Sequence, residues 1–174
     1  MMRPMSYTVR RTTAEEWQDF RDLRLESLLD SPTNYGRTHE QDSAVPDEEW
    51  QERARTNSAS DTQAFHVAVD DATGKLVGMW GVMPHFHQDG VHVVLGVYVR
   101  PEARGTDVAR RLNQACIDFA RTTDAKELVL LVRDDNDRGR RFYEREGFEL
   151  TGGSEPHNLD PTHDLLEMRY PAFR

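Results

Sequence analysis

Between Trp17 and Leu28 the apolar positions Trp17, Phe20, Leu25 and Leu28 recur at the spacing of one helix face. They predict a helix from about Ala14 to Leu29, with Thr13 as N-cap and Glu16 three residues on in a capping-box pattern. A short strand, Tyr7–Arg11, precedes it. The stretch Asp30–Val45 is polar, interrupted by Pro32 and Gly36, and reads as a loop; Asp47–Thr56 reads as a short helix entered at Pro46.

The pattern then changes to strands. Ala64–Val69 and Lys75–Met83 flank the turn-rich Asp70–Gly74, which predicts a hairpin. After Pro84–Gly90 comes Val91–Val99, the strongest strand signal in the chain. By alternation, His92, Val94, Gly96 and Tyr98 should share one of its faces. Helical spacing returns with Val108, Leu112, Ala115, Cys116 and Phe119, giving a helix to about Thr122. Glu127–Val132 is an apolar strand, Asp137–Glu146 a helix closed by Gly147, and Phe148–Thr151 and Leu165–Tyr170 are late strands around a Gly/Pro-rich loop, Gly152–Pro161. Successive strands with short links imply an antiparallel meander. The helix between Val91–Val99 and Glu127–Val132 makes that pair parallel through a right-handed crossover. The fold class is therefore α+β, with a mixed, mostly antiparallel central sheet flanked by helices, and residues 1–174 form one domain.

Composition narrows the function classes. A net charge of −9 argues against a general nucleic-acid binder. It also makes the cluster Arg100, Arg104, Arg110 and Arg111 stand out as local positive charge that an anion could use. No apolar run is long enough to span a membrane, and residues 1–10 lack the apolar stretch of a signal peptide, so no membrane partner is expected and the cytoplasm is the default compartment. The single cysteine, Cys116, excludes an intrachain disulfide and sits in the apolar pattern of a helix. His85, His87 and His92 lack the further ligands of a zinc site, and Asp134–Asp137 lacks the spacing of a calcium loop, so no metal is assigned. A homodimer is the base-rate expectation for a soluble chain.

The chemistry concentrates after Val99. There Arg100-Pro101 ends a strand, and a turn carrying Arg104 and Gly105 opens into a helix near Asp107. Backbone N–H groups at a helix N-terminus lack intrahelical partners, and the helix dipole adds positive potential, so the segment is an anion site. Gly105 lets the backbone approach a bulky ligand without a Cβ in the way. Neither a dinucleotide fingerprint nor a P-loop is present.

The run Val97–Leu112 resembles the acetyl-CoA motif of GNAT acetyltransferases, [QR]-x-x-G-x-[GA], with Arg104 at its first position and Ala109 at its last. Asp107 stands where the family usually has its second-to-last fixed residue, glycine. Downstream, Asn136–Phe148 is similar to the family's other hallmark, N-x-x-[AG]-x-x-[FL]-Y-x-x-x-G-F. The resemblance spans roughly Ala64–Tyr170, and the N-terminal helices agree more loosely. It implies a GNAT-like sheet with the Val91–Val99 and Glu127–Val132 strands splayed around an acyl-CoA, acetyl-CoA as co-substrate, and direct transfer to a primary amine of a small molecule or peptide.

Carried over residue by residue, the resemblance puts Val97, Tyr98 and Val99 on the strand that hydrogen-bonds pantetheine. It puts Arg104, Gly105, Thr106, Asp107, Val108, Ala109 and Arg110 around the pyrophosphate, and Asn136 and Tyr143 on the pantetheine arm and sulfur. Tyr143 is the implied general acid, since a phenol stays protonated at neutral pH. No acid lies on the Val91–Val99 strand; His92 is the titratable candidate for general base, and a water relay is equally open. Asp107 adds a like charge worth about 1 kcal/mol against the ligand, or caps the N–H groups the phosphates would use. Two further readings are a non-catalytic acyl-CoA-binding regulatory module and an acyltransferase using a longer acyl-CoA. The acceptor should be shaped by Tyr35–Trp50 and Gly152–His163. There Asp42, Asp47, Glu48 and Glu49 either draw a cationic amine or form a solvated face.

Overall fold

The computed structural model describes residues 4–173; Met1–Arg3 and Arg174, which the sequence reading includes in its single domain, lie outside the described residues. In chain order the elements are β1 (Tyr7–Arg11), α1 (Trp17–Asp30), α2 (His39–Ser43), α3 (Asp47–Ala59), β2 (Ala64–Asp70), β3 (Leu76–Pro84), β4 (Val91–Val99), α4 (Val108–Arg121), β5 (Glu127–Arg133), α5 (Asp137–Arg145), β6 (Glu149–Pro156) and β7 (Asp164–Arg169). The seven strands form one sheet in the order β1-β2-β3-β4-β5-β7-β6. Among the described residues, β4 and β5 alone pair in parallel, and the other pairings are antiparallel. The mixed sheet read from the sequence is the one observed.

Helices cover both faces. On one, the apolar stripe of α4 (Val108, Leu112, Cys116, Ile117, Ala120) packs with Val77, Trp80, Val82 and Val94 of the sheet and with Tyr143 of α5. On the other, Leu23 and Phe20 of α1 pack with Val67, Met79, Phe65 and Tyr98. Cys116 is fully buried as expected, and burial pushes its thiol well above the ordinary range.

Several expected boundaries move. The helix α1 starts at Trp17, not Ala14, and Thr13 is not its N-cap. Glu16 is drawn backwards instead: its carboxylate accepts from the Thr13 N–H at 2.8 Å, the Thr12 hydroxyl at 2.8 Å and the Arg10 guanidinium. The buried face of α1 carries Leu23 and Leu28, while Leu25 is only partly covered. Inside the stretch read as loop, Thr38 and Gln41 form a reciprocal capping box and start the short helix α2. At the other end, β6 runs through Gly152-Gly153 to Pro156, where a loop was expected.

The correction that matters most falls on β4. Gly81 pairs with Leu95 and Met79 with Tyr98, so two steps along β3 face three along β4. The extra residue is a β-bulge at Gly96, whose φ is +63°. A bulge reverses the alternation beyond it. Val94 packs on the α4 face, but so do Val97 and Val99, while Tyr98 turns to the α1 face. His92 and Tyr98 therefore do not share a face.

Candidate active site

The parallel pairing of β4 with β5 covers only Val91–Val94 against Glu127–Leu130 and stops at the bulge. Beyond it the two strands diverge, and a cavity of about 1370 Å³ opens between them. Its walls include Val97, Tyr98 and Val99 of β4, the loop Arg104–Asp107, Ala109 and Arg110 of α4, and Asn136 and Tyr143 at α5. The structure thus brings together eleven of the twelve positions expected around a cofactor. The exception is Val108, a fully buried residue of the α4 core that does not line the cavity.

On the divergent edge of β4, the Arg100 N–H donates to Val77 O of β3. Alternation then turns the backbone groups of Val99 and Val97 away from β3, toward the gap. Both carbonyls there are already engaged: Val97 O accepts from the Tyr35 hydroxyl at 2.8 Å, and Val99 O from Arg104 Nε at 2.9 Å. The edge is left presenting its N–H donors.

What the loop 104–107 could offer an anion is backbone rather than side chains. Gly105 has φ +77°, and the N–H groups of Gly105, Ala109 and Arg110 find no acceptor among the described residues. The first α4 turn begins with Arg111 N–H on Asp107 O at 3.0 Å, and the Thr106 hydroxyl closes the turn on Ala103 O at 2.6 Å. The expected pool of free arginine charge is mostly spoken for. Arg100 is paired with Glu26 at 2.6 Å and Arg104 with Asp30 at 2.5 Å, both acids lying on α1. Arg104 consequently braces β4 against α1, and Arg110, with its side chain 62% exposed, is the loop cation turned to solvent.

Asp107 does not cap α4, since its side chain makes no capping hydrogen bond. Its carboxylate faces Arg110 at 3.9 Å and Arg111 at 3.7 Å. Of the two effects expected from it, only the charge remains. At a site this exposed, Asp107→Asn should tighten CoA binding by at most about 1 kcal/mol, roughly fivefold, and less at high salt. Calorimetric titration of CoA at low and high ionic strength measures this, and an unchanged or weaker affinity contradicts it.

The second hallmark acquires a physical reason at each fixed position. Asn136 N-caps α5: its Oδ1 accepts from the Gly139 N–H at 2.9 Å. A Cβ at position 139 would lie 2.6 Å from Asn136 Nδ2, so the small residue makes room for the cap. At the far end, the Phe148 N–H donates to Tyr143 O at 2.9 Å and the Gly147 N–H to Glu144 O at 3.1 Å, a Schellman motif with Gly147 at φ +96°. The Phe148 ring completes it 5.7 Å from that of Tyr143. Capped at both ends, α5 holds the Tyr143 ring among Trp80, Phe142 and Phe148. Burial, and behind it Tyr35 and Cys116, pushes the Tyr143 phenol well above its ordinary range. The phenol therefore keeps its proton at any physiological pH.

His92 does not join this site. It is 3% exposed, its Nε2–H donates to Thr62 O at 2.8 Å, and it is absent from the cavity walls. The reason is its position below the bulge, within the stretch still paired on both sides. A histidine the sequence reading did not single out does reach the cavity: His157, in the β6–β7 loop. Its Nδ1 accepts from the Leu159 N–H at 3.1 Å, which leaves Nε2 as the protonated nitrogen of the neutral ring, a donor rather than a base. That loop is held in place twice. Asn158 Nδ2 donates to Gly36 O at 2.8 Å, bridging it to the α1–α2 segment across the cavity. Asp134 and Asp135 of the β5–α5 loop meet His163, with Asp134 Oδ1 2.7 Å from its Nδ1.

The sequence model described as the acetyltransferase (GNAT) family matches residues 17–148, most of the chain. The chain belongs to the GNAT acetyltransferase family. Among curated proteins it is 31% identical over 74 residues to the peptidyl-lysine N-acetyltransferase YjaB of Escherichia coli, a match covering 42% of this chain and 47% of that enzyme. The chain therefore spans about half the length of that relative. Among solved structures, a GNAT-family acetyltransferase from Streptococcus pneumoniae superposes with a TM-score of 0.78 at 16% identity, over 94% of this chain and 98% of that one. The protein yncA from Salmonella typhimurium, solved with its cofactor acetyl-CoA, superposes with a TM-score of 0.76 at 18% identity over 94% and 92%. At these identities the GNAT structures bear on fold. Among the described residues, no helix is long and apolar enough to cross a membrane.

Proposed function

We propose that this protein transfers an acyl group, acetyl in the first instance, from acyl-CoA to a primary amine by direct attack in a ternary complex. The observation that carries the reading is the divergent edge of β4: donors at Val97 and Val99 on one wall, the N–H groups of Gly105, Ala109 and Arg110 at one end, and the Tyr143 phenol on the α5 wall. The Val97 and Val99 N–H groups would orient an amide-bearing pantetheine arm, and the loop N–H groups with Arg110 would hold its phosphates. The thioester is the reactive group that acyl-CoA supplies when bound. Tyr143 gives its proton to the departing sulfur. His92 is buried elsewhere and His157 is fixed as a donor, while His85 and His87 also line the cavity. The proton of the attacking amine therefore leaves through water in the open cavity or through one of those two rings.

The test is thiol release from acetyl-CoA measured against a panel of amino acids, polyamines, aminoglycosides and short peptides. Release that depends on an acceptor supports the reading. CoA binding by calorimetry with no turnover on any acceptor would turn it into the regulatory-module reading. No CoA binding at all would remove both.

A further inference from the structure

Away from the phosphate loop, the cavity is built on Asp42, an acid that the sequence suggested as an amine attractant or part of a solvated face. It is neither. Asp42 is 1% exposed and is gripped by two arginines: Arg24 Nε donates to its Oδ2 at 3.0 Å and Arg37 Nε to its Oδ1 at 2.5 Å. The paired cations hold its carboxyl below the ordinary range, against the effect of burial. Each guanidinium gives Asp42 its Nε, and the terminal nitrogens of both have no acceptor among the described residues. Arg24 is further immobilised 4.7 Å over the Tyr35 ring, with its side chain only 16% exposed.

Two guanidiniums on one carboxylate leave a positive charge without an ion partner, with Arg24 largely shielded and the Arg37 side chain, 48% exposed, opening to solvent where an anion can reach it. The free terminal nitrogens of a guanidinium form the planar fork that binds a carboxylate with two parallel hydrogen bonds. Arg24, Arg37 and Asp42 all line the cavity. Tyr35, on which Arg24 lies, donates to Val97 O on the β4 edge, so the arginine pair stands one residue away from the wall along which the acyl group would run. The indole N–H of Trp50, on the same cavity, is also buried without an acceptor. Even in a chain of net charge −9, arginines outnumber carboxylates among the cavity walls.

We infer that the acceptor carries a carboxylate beside its amine, and that the terminal nitrogens of Arg24 and Arg37 bind that carboxylate: an amino-acid-class substrate rather than a polyamine or a protein lysine. This rests on the acyl-transfer reading above. In the reaction the amine nitrogen forms a bond to the thioester carbonyl carbon and loses one proton. The carbon–sulfur bond breaks, the sulfur takes a proton from Tyr143, and the carboxylate is a spectator that orients the amine.

The common L-amino acids, each beside its carboxamide, are assayed by thiol release from acetyl-CoA. At least one acid should exceed its amide in kcat/KM by about ten- to a hundredfold, mainly through KM. Arg37→Ala should bring that ratio toward one, and Arg37→Lys should restore part of it, which a merely structural role would not do. Calorimetric CoA binding on each variant reports that the fold persists. As a readout without turnover, the preferred acid should raise the melting midpoint of the CoA-bound protein, and less so in Arg37→Ala. Amides or decarboxylated amines acetylated as well as the acids would overturn the inference and leave acyl transfer standing. So would an Arg37→Ala variant with an unchanged ratio, or no amino acid that either turns over or shifts the midpoint. Loss of CoA binding in the parent would remove the transfer reading and this inference with it.

Discussion

Replacing Tyr143 with Phe is expected to lower kcat about a hundredfold while CoA affinity and the melting midpoint stay near those of the parent. The hydroxyl makes no hydrogen bond among the described residues, so its loss leaves no orphaned partner behind. The contacts of the ring, 6.2 Å from Trp80 and 5.7 Å from Phe148, survive in phenylalanine. What disappears is a proton that burial keeps on the phenol at every working pH. Positioned acids contribute about 10²–10⁴ in rate, and a thiol, with a reference pKa near 8.5, leaves tolerably well unprotonated, which puts the effect at the low end. Because the interaction forms only as the carbon–sulfur bond breaks, kcat and kcat/KM should fall together. Steady-state rates with saturating acetyl-CoA, beside a thermal melt, measure both. A variant with parental kcat, or one whose loss lies wholly in KM, would take the proton away from Tyr143.

Some of this was legible in the residues and some was not, and the difference has a physical pattern. Strand–turn–helix order and the parallel β4–β5 pair follow from apolar period and connection length, both properties of contiguous sequence. The second hallmark was legible for a stronger reason. Asn136, Gly139, Gly147 and Phe148 act on their neighbours within one helix, through a cap, a close approach and a Schellman turn, so their spacing carries the geometry. Alternation alone misplaces the face of β4, because a bulge is a relation between two strands. Gly96 alone does not announce it, although the single glycine in an apolar run was the available signal. The same holds for charge. Arg100 and Arg104 form a local cluster, but their partners Glu26 and Asp30 are more than seventy positions away in the chain. Asp42 looked like one acid among several until the fold put Arg24 and Arg37 on it. The box that starts α2, Thr38 with Gln41, is local sequence as well, but no apolar period surrounds it to mark a helix.

The bulge that opens the cavity should also be the most sensitive backbone position in it, and a pair of glycines isolates why. Gly74 and Gly96 have nearly the same left-handed conformation, φ +71° and +63°. A Cβ at Gly74 meets nothing within 4 Å, whereas one at Gly96 lies 2.7 Å from Phe65 Cε1 and Cζ. Phe65 cannot simply step aside, because its ring also lies over Gly81 and packs edge-on against Phe20 at 5.1 Å. Gly74→Ala should therefore lose only the conformational cost of a side chain at positive φ, about 1–2 kcal/mol. Gly96→Ala should lose that amount plus an overpacking cost of about 1–3 kcal/mol. The gain from a stiffer unfolded chain is common to both and cancels in the difference. Chemical denaturation of the two variants yields that difference directly. Trimming the ring with Phe65→Leu should recover part of it in the Gly96→Ala background and none in the Gly74→Ala background, a coupling that a double-mutant cycle reads. CoA binding should weaken in Gly96→Ala alone, since only there does relief of the clash act on the strand edge that Val97 and Val99 present. Equal losses at the two glycines would mean that Phe65 yields freely, and that something other than its packing over Gly81 and Gly96 fixes the bulge and the opening between β4 and β5.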